Sequence, residues 1–109
     1  MDMSEAREIV ARDLNSKYNV ENDEIMICDE FTITKDYGWI FFYDSKKCIL
    51  EKDQRSKLYG NGPVLIEKSD GSMRSFGTGQ PVEKSIEEYE KIRLKVPFMK
   101  KIWSFLGFK

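Results

Sequence analysis

The chain has 109 residues, 40% of them hydrophobic and 34% charged, which suits one small globular domain with a single core. It contains no histidine, so the usual general base and the commonest transition-metal ligand are both missing. This composition excludes catalytic triads and zinc sites, and we expect no cofactor and no metal.

The charges are unevenly distributed along the chain. Residues 1–30 carry nine acidic and three basic side chains, for a net charge of −6, whereas residues 31–109 carry ten acids and fifteen bases, for +5. A nucleic-acid-binding protein would show a stronger and broader positive excess. We therefore predict no nucleic-acid partner.

The sequence also bears on location and on thiol chemistry. No apolar run approaches the roughly 20 residues needed to cross a bilayer, and residues 1–5 lack the basic and apolar regions of a signal peptide. These features predict a cytoplasmic protein. Cys28 and Cys48 are therefore interpreted as buried thiols in preference to a disulfide or a reactive thiol.

The first predicted element is an amphipathic helix from Ser4 to about Tyr18. Ser4 is a suitable N-cap, and acidic residues follow it near the positive end of the helix dipole. The apolar residues at helical spacing are Ala6, Ile9, Val10, Leu14 and Tyr18. One face of this helix is expected to cover a sheet.

Two strands are predicted next. Residues 24–35 alternate apolar and polar side chains, with Ile25, Ile27, Phe31 and Ile33 on the apolar face. Asp29 interrupts that face, so we expect a bulge or a strand end near residues 28–30. Residues 38–43 include four aromatic residues and are apolar on both faces, which predicts a central strand paired antiparallel with the first.

The middle of the chain reads as a loop followed by a hairpin. Residues 44–57 are polar, with room for a short helix, and residues 59–63 form a glycine-rich turn. A strand over residues 64–68, a turn at 69–72 and a strand over 73–77 complete the predicted hairpin.

A second helix is predicted from Pro81, which suits a first helical position, and its apolar stripe is Val82, Ile86, Tyr89 and Ile92. Pro97 is expected to end it. The predicted fold class is α+β: an N-terminal helix, a four-stranded antiparallel β-meander and a C-terminal helix packed on the sheet. Residues 1–93 form the domain, and residues 94–109 form a short basic amphipathic tail.

Several ordered segments resemble the immunity-protein-35 family, also called YrhB-like, over roughly residues 4–92. They are residues 38–47, residues 60–68 with Asp70-Gly71, Gly77-Thr78, and Pro81 with residues 86–90. The resemblance implies a small bacterial α+β protein, encoded beside polymorphic toxins, that binds and blocks a cognate toxin. It attaches no catalytic residues, and a related branch is described as chaperone-like. The tail is not part of the family pattern, and Lys84-Ser85 stands where more aromatic residues are expected.

Six residues are predicted to contact a partner. Tyr43 ends the aromatic strand, most of which is expected to be core, and the glycine-rich turn is expected to shape a binding edge more than to cradle an anion. The acidic helix face is solvated by default, but it also suits a basic toxin surface. The predicted contact residues are Tyr43, Tyr59, Asn61, Glu83, Glu87 and Trp103.

The tail is open to four interpretations: a helix folded over the sheet, a homodimer contact, a toxin contact or an interfacial membrane contact, the last not favoured. For the whole protein, the predicted function is non-enzymatic binding and neutralisation of a toxin. The alternative is a small holdase that binds unfolded clients. An enzyme acting through Cys28 or Cys48 is disfavoured, because no histidine can activate either thiol.

Overall fold

The computed structural model describes residues 1–58 and 62–105, with side chains described up to residue 94. The chain divides into two compact units, Met1–Thr78 and Gly79–Lys109. The first contains α1 (Met3–Lys17), β1 (Ile25–Ile27), β2 (Ile33–Lys35), β3 (Gly38–Phe41), β4 (Tyr43–Ser45), α2 (Lys46–Glu51), β5 (Val64–Glu67) and β6 (Met73–Ser75). The second contains α3 (Val82–Phe105). The predicted α+β class is confirmed.

Four strands form the main antiparallel sheet, in the order β2-β3-β5-β6. This is the predicted meander, with β3 in an interior position. β1 and β4 form a separate two-stranded ribbon. The two predicted strands over residues 24–35 and 38–43 are therefore each divided between the sheet and the ribbon.

The core lies between α1 and one face of the sheet. Trp39 and Phe41 point to this face because they alternate with Ile40 along β3. The buried cluster comprises Ala6 and Val10 of α1 together with Ile27, Trp39, Phe41, Val64 and Ile66. Ile40 and Leu65, which are paired across β3 and β5 on the opposite face, are also fully buried. Burial on both faces explains why this strand shows no apolar-polar alternation.

Gly38 begins β3 and pairs with Glu67 of β5. A Cβ atom at this position would overlap the carbonyl oxygen of Ile66. The glycine is therefore needed for close backbone approach, and it also ends the turn after Tyr37.

The junction between the ribbon and the sheet carries an insertion. Ile27 pairs with Tyr43 and Ile33 pairs with Ile40, so five residues on one strand face two on the other. The extra residues form a 3₁₀ turn over Asp29–Phe31, while the Cys28 N–H still donates to the Phe42 carbonyl at 2.8 Å. The predicted interruption near residues 28–30 is confirmed, and it is larger than a one-residue bulge.

Some predicted boundaries and faces are wrong. The N-cap of α1 is Asp2, whose carboxylate accepts the Glu5 N–H at 2.9 Å, so Ser4 lies inside the helix. Pro81 precedes α3 instead of opening it, and its carbonyl accepts from the Lys84 and Ser85 N–H groups. Ile92, assigned to the apolar stripe of that helix, is exposed. The polar segment after β4 does contain the anticipated short helix, α2.

Pro97 does not end α3, which is 24 residues long and runs from Val82 to Phe105. Proline lacks one N–H donor and crowds the carbonyl four residues earlier, and a helix can absorb this locally by kinking. The tail predicted to form its own helix is thus a continuation of α3 up to residue 105. Among the described residues, no helix is both long enough and apolar enough to span a membrane.

Candidate partner-binding surface

Tyr43 is less available to a partner than its place at the strand end suggests. It lies in β4 opposite Ile27 and packs, half-buried, against the core cluster beneath α1. Its ring therefore supports the ribbon from one side, and only part of it reaches the surface.

Glu83 and Glu87 lie on the first turns of α3, and both are exposed. Glu87 forms an ion pair with Lys91 one turn later, at 3.3 Å between Oε1 and Nζ. Glu88 is exposed as well and accepts a hydrogen bond from Gln80 Nε2 at 3.1 Å. We call Glu83 and Glu87 the acidic face of α3. The predicted proximity of Glu83 and Glu87 follows from their spacing of four on a continuous helix.

The side chains of the other three predicted contact residues are not described. Tyr59 and Asn61 lie outside the described residues, and Trp103 lies on α3 where the backbone alone is described. The residues beside the 59–61 segment are held firmly. Leu58 N–H donates to Asp44 Oδ1 at 2.9 Å, and Phe76 N–H donates to the Pro63 carbonyl at 2.9 Å.

Sequence reasoning missed the inserted 3₁₀ turn as a surface feature. We call its residues, Asp29, Glu30 and Phe31, the knuckle. Phe31 was assigned to the apolar face of a strand, but its side chain is 59% exposed because the turn breaks the alternation. Its ring meets Phe42 edge to face, with centroids 6.4 Å apart. Two acids immediately before an aromatic residue inside a predicted strand were the available signal.

An arginine from α1 fixes the knuckle. Arg7 Nε lies 2.6 Å from Asp29 Oδ1, and Arg7 Nη2 lies 3.0 Å from Asp29 Oδ2, a two-point pair. The hydrogen bond to Asp29 is the main cause that raises the pKa of Arg7, against the opposing effect of burial. The exposed pair Glu30 and Phe31 is thus presented on an anchored backbone.

Asp23 joins the end of α1, the residue before β1 and the start of α2. Its carboxylate accepts hydrogen bonds from Tyr18 Oη at 2.8 Å, from Lys47 N–H at 3.1 Å and from Glu24 N–H at 2.9 Å. Burial pushes the pKa of Asp23 upward, but these hydrogen bonds outweigh it and hold the pKa below its usual range. Burial first, and then the bond to Asp23, raises the pKa of Tyr18 to about 12.

The described residues offer little support for thiol or metal chemistry. Burial, followed by the nearby charge of Asp44, raises the pKa of Cys28, which keeps that thiol protonated and weakly nucleophilic. In the part of the chain that the structure describes, no three acidic or cysteine side chains are grouped to hold a metal ion.

These features define a small α+β protein whose candidate site is made of surface side chains on anchored elements. A family model described as immunity protein 35 matches residues 4–92, and the chain therefore belongs to the immunity protein 35 family. The resemblance predicted from the sequence is confirmed. The family match begins inside α1 and ends inside α3, so it includes both sheets.

One curated relative is the "Uncharacterized protein YrhB" of Escherichia coli (strain K12), 34% identical over 53 residues. The match covers 49% of this chain and 56% of the relative, so the chain spans little more than half of that protein's length. No solved structure matches the chain.

Proposed function

We propose that this protein is a stoichiometric toxin inhibitor: it binds a cognate toxin protein and blocks it without performing chemistry. The observation that carries the proposal is membership of the immunity protein 35 family across residues 4–92. The absence of histidine from the sequence and the raised pKa of Cys28 support a binding role over a catalytic one.

The exposed carboxylates suggest what kind of toxin surface is bound. The acidic face of α3 and Glu30 of the knuckle are exposed, and residues 1–30 have a net charge of −6. Complementary charge steers association and discriminates between partners. A basic toxin surface therefore fits these groups best.

Anchoring adds to affinity in a second way. The Arg7–Asp29 pair holds the knuckle before any partner arrives, so less conformational freedom is lost when Phe31 and Glu30 are covered. Aromatic residues, including phenylalanine, are also enriched in protein–protein interfaces.

The direct test is a titration of toxin activity. The tagged protein is used to capture its partner from the producing cells, the captured toxin is purified, and its activity is measured against increasing amounts of this protein. We expect activity to fall in proportion to added protein and to vanish near one equivalent. A captured toxin that stays fully active in molar excess of the protein would contradict the proposal.

A charge-reversal series tests the contact surface. Glu83→Lys and Glu87→Lys place positive charge on α3, and against a basic toxin we expect each to weaken inhibition by about tenfold or more. Asp36→Lys and Glu51→Lys are matched controls, since these residues are exposed acids outside both α3 and residues 1–30. Equal effects from all four variants would show that net charge alone matters and that α3 is not the contact.

A second candidate function is a holdase for unfolded clients, favoured by the large exposed hydrophobic residues. Phe31, Leu50 and Leu94 are all more than half exposed. This function predicts that the protein suppresses heat-induced turbidity of an unrelated protein, and that Leu94→Gln lowers the effect. A protein that leaves such turbidity unchanged is not a holdase.

A further inference from the structure

The C-terminal half of α3 differs from its beginning in both charge and exposure. The last acid of α3 is Glu90, and residues 94–109 contain four lysines and no acid. Where the side chains are still described, two large apolar residues are open to solvent: Ile92 is 43% exposed and Leu94 is 79% exposed. The acidic face of α3 is thus followed by a basic, apolar segment on the same helix.

Continuity of the helix gives this segment a single register. Because α3 runs through Pro97 to Phe105, helical spacing relates residues on both sides of the proline. The spacing places the apolar positions in two rows about 135° apart around the helix. Lys95 lies between the rows on one side, and Arg93, Lys100, Lys101 and Ser104 lie between them on the other. One row is Ile92, Val96, Met99 and Trp103, and the other is Leu94, Phe98, Ile102 and Phe105.

We propose that residues 92–105 bind the surface of an anionic lipid bilayer, with the helix lying in the interface plane. Its apolar rows would enter the boundary between headgroups and acyl chains, and its lysines would meet lipid phosphates. This proposal goes beyond toxin inhibition and does not depend on it.

The charge of residues 92–105 favours an anionic membrane over a second copy of the segment or a basic toxin. An anionic membrane complements residues 92–105, which contain one arginine, three lysines and no acid. A second copy of the segment would bring lysines against lysines. A basic toxin surface, which suits the acidic face of α3, would be repelled here.

The test is sedimentation of the full-length protein with sucrose-loaded vesicles. One set contains phosphatidylcholine mixed with phosphatidylglycerol, and the other contains phosphatidylcholine alone. We expect the protein to sediment with the anionic set at low salt, and much less with the neutral set or at high salt. Emission from Trp103 should shift to the blue with the anionic vesicles, and this shift should be lost in Trp103→Phe.

Two variants and one matched control sharpen the test. Lys100→Gln and Lys101→Gln should each lower the partition coefficient by about fivefold, as expected for one basic residue near an anionic surface. Leu94→Gln should lower it by about tenfold, because a leucine no longer leaves water. Leu50→Gln removes an exposed leucine on α2, 56% exposed, and should leave the partition coefficient unchanged.

Three outcomes would overturn the proposal. The first is no sedimentation with either set of vesicles, and the second is equal sedimentation with both. The third is a dimer in sedimentation velocity that Leu94→Gln converts to a monomer while vesicle binding is absent, which would assign the segment to a second copy. None of these outcomes alters the toxin titration, so the two proposals fail separately.

Discussion

The sheet and the ribbon share two stretches of chain, residues 24–35 and 38–45, but different interactions hold them together. Every residue of β3 and β5 is buried, and the side chains toward α1 form one apolar cluster. The ribbon is only three residue pairs long and part of its surface is solvent-facing. It relies on side chains that bond to its backbone. The sheet should thus be sensitive to lost volume, and the ribbon to lost hydrogen-bond partners.

Asn15 shows how the ribbon is attached to α1. Its side-chain amide accepts the Ile25 N–H at 2.7 Å and donates to the Ile25 carbonyl at 3.1 Å, which is the pairing a neighbouring strand would supply. The same amide nitrogen also donates to the Ala11 carbonyl at 3.0 Å. A single side chain thus satisfies the backbone at the outer edge of β1.

The largest effect is expected in the sheet. Phe41→Ala removes a ring that is almost completely buried, and it should lower the free energy of unfolding by about 3–5 kcal/mol. Urea unfolding followed by circular dichroism measures this. Phe31→Ala is the matched control, because that ring is mostly exposed, and it should cost well under about 1 kcal/mol. Similar losses for the two variants would remove the distinction between core and knuckle.

The next effect tests the ribbon. Asn15→Ala leaves the Ile25 N–H and C=O without their partner, and it should lower the free energy of unfolding by about 1–3 kcal/mol. Asn19→Ala changes an exposed asparagine just beyond α1 and should be nearly neutral. If Asn15→Ala is as mild as its control, water replaces the amide at no cost and the ribbon does not depend on it.

The sequence predicted most of the fold because the sheet is built from patterns that carry over short distances. The apolar run at residues 38–43 indicated an interior strand, and the Asp70-Gly71 turn indicated the last hairpin. The division into sheet and ribbon was not predicted, since it depends on a pairing register between residues far apart in sequence. The N-cap at Asp2 was not predicted because Ser4 satisfies the same capping rule. The continuity of α3 through Pro97 was not predicted because proline ordinarily interrupts a helix.

The candidate site was less accessible to sequence reasoning than the fold. The exposed positions of Glu83 and Glu87 followed from helical spacing, but the half-burial of Tyr43 depends on its partner strand and on α1. The knuckle required two facts that no local pattern contains: the three-residue mismatch between paired strands and the distant pair from Arg7 to Asp29. Surface features that depend on strand register are therefore the hardest to predict from local sequence patterns.

A smaller effect concerns the bond between Tyr18 and Asp23, which ties the end of α1 to the ribbon. Tyr18→Phe removes this bond and should lower the free energy of unfolding near neutral pH by about 1 kcal/mol. Folding raises the pKa of Tyr18 from 10.0 to about 12, so the folded state holds the phenolic proton more tightly. The stabilisation is thus fully present below pH 10 and is lost as the pH rises toward 12. Urea unfolding at several alkaline pH values should show the difference between the two proteins shrinking over that window.

At acidic pH the stabilisation from Asp23, the partner of Tyr18, should be lost as the pH falls. The pKa of Asp23 is depressed in the folded state, so its stabilisation is present above its ordinary value of 3.8 and is lost as the pH falls below it. Asp23→Asn should therefore flatten the acid limb of the stability curve and leave the alkaline loss from Tyr18 smaller but detectable. An acid limb identical in both proteins would mean that Asp23 is not a stabilising carboxylate.

The smallest effect is expected at the knuckle. Arg7→Lys keeps the charge but cannot contact both Asp29 oxygens in the same fork, and because both side chains are substantially exposed the cost should be only about 0.5 kcal/mol. Arg12→Lys, at an exposed position on the same helix, is the control. If the knuckle is a toxin contact, Arg7→Lys should lower the free energy of toxin binding by more than it lowers the free energy of unfolding. The reason is that its main effect is to release Glu30 and Phe31. Equal losses in the free energies of unfolding and of toxin binding would mean that the Arg7–Asp29 pair only contributes to stability. The acidic face of α3 would then remain the better candidate contact.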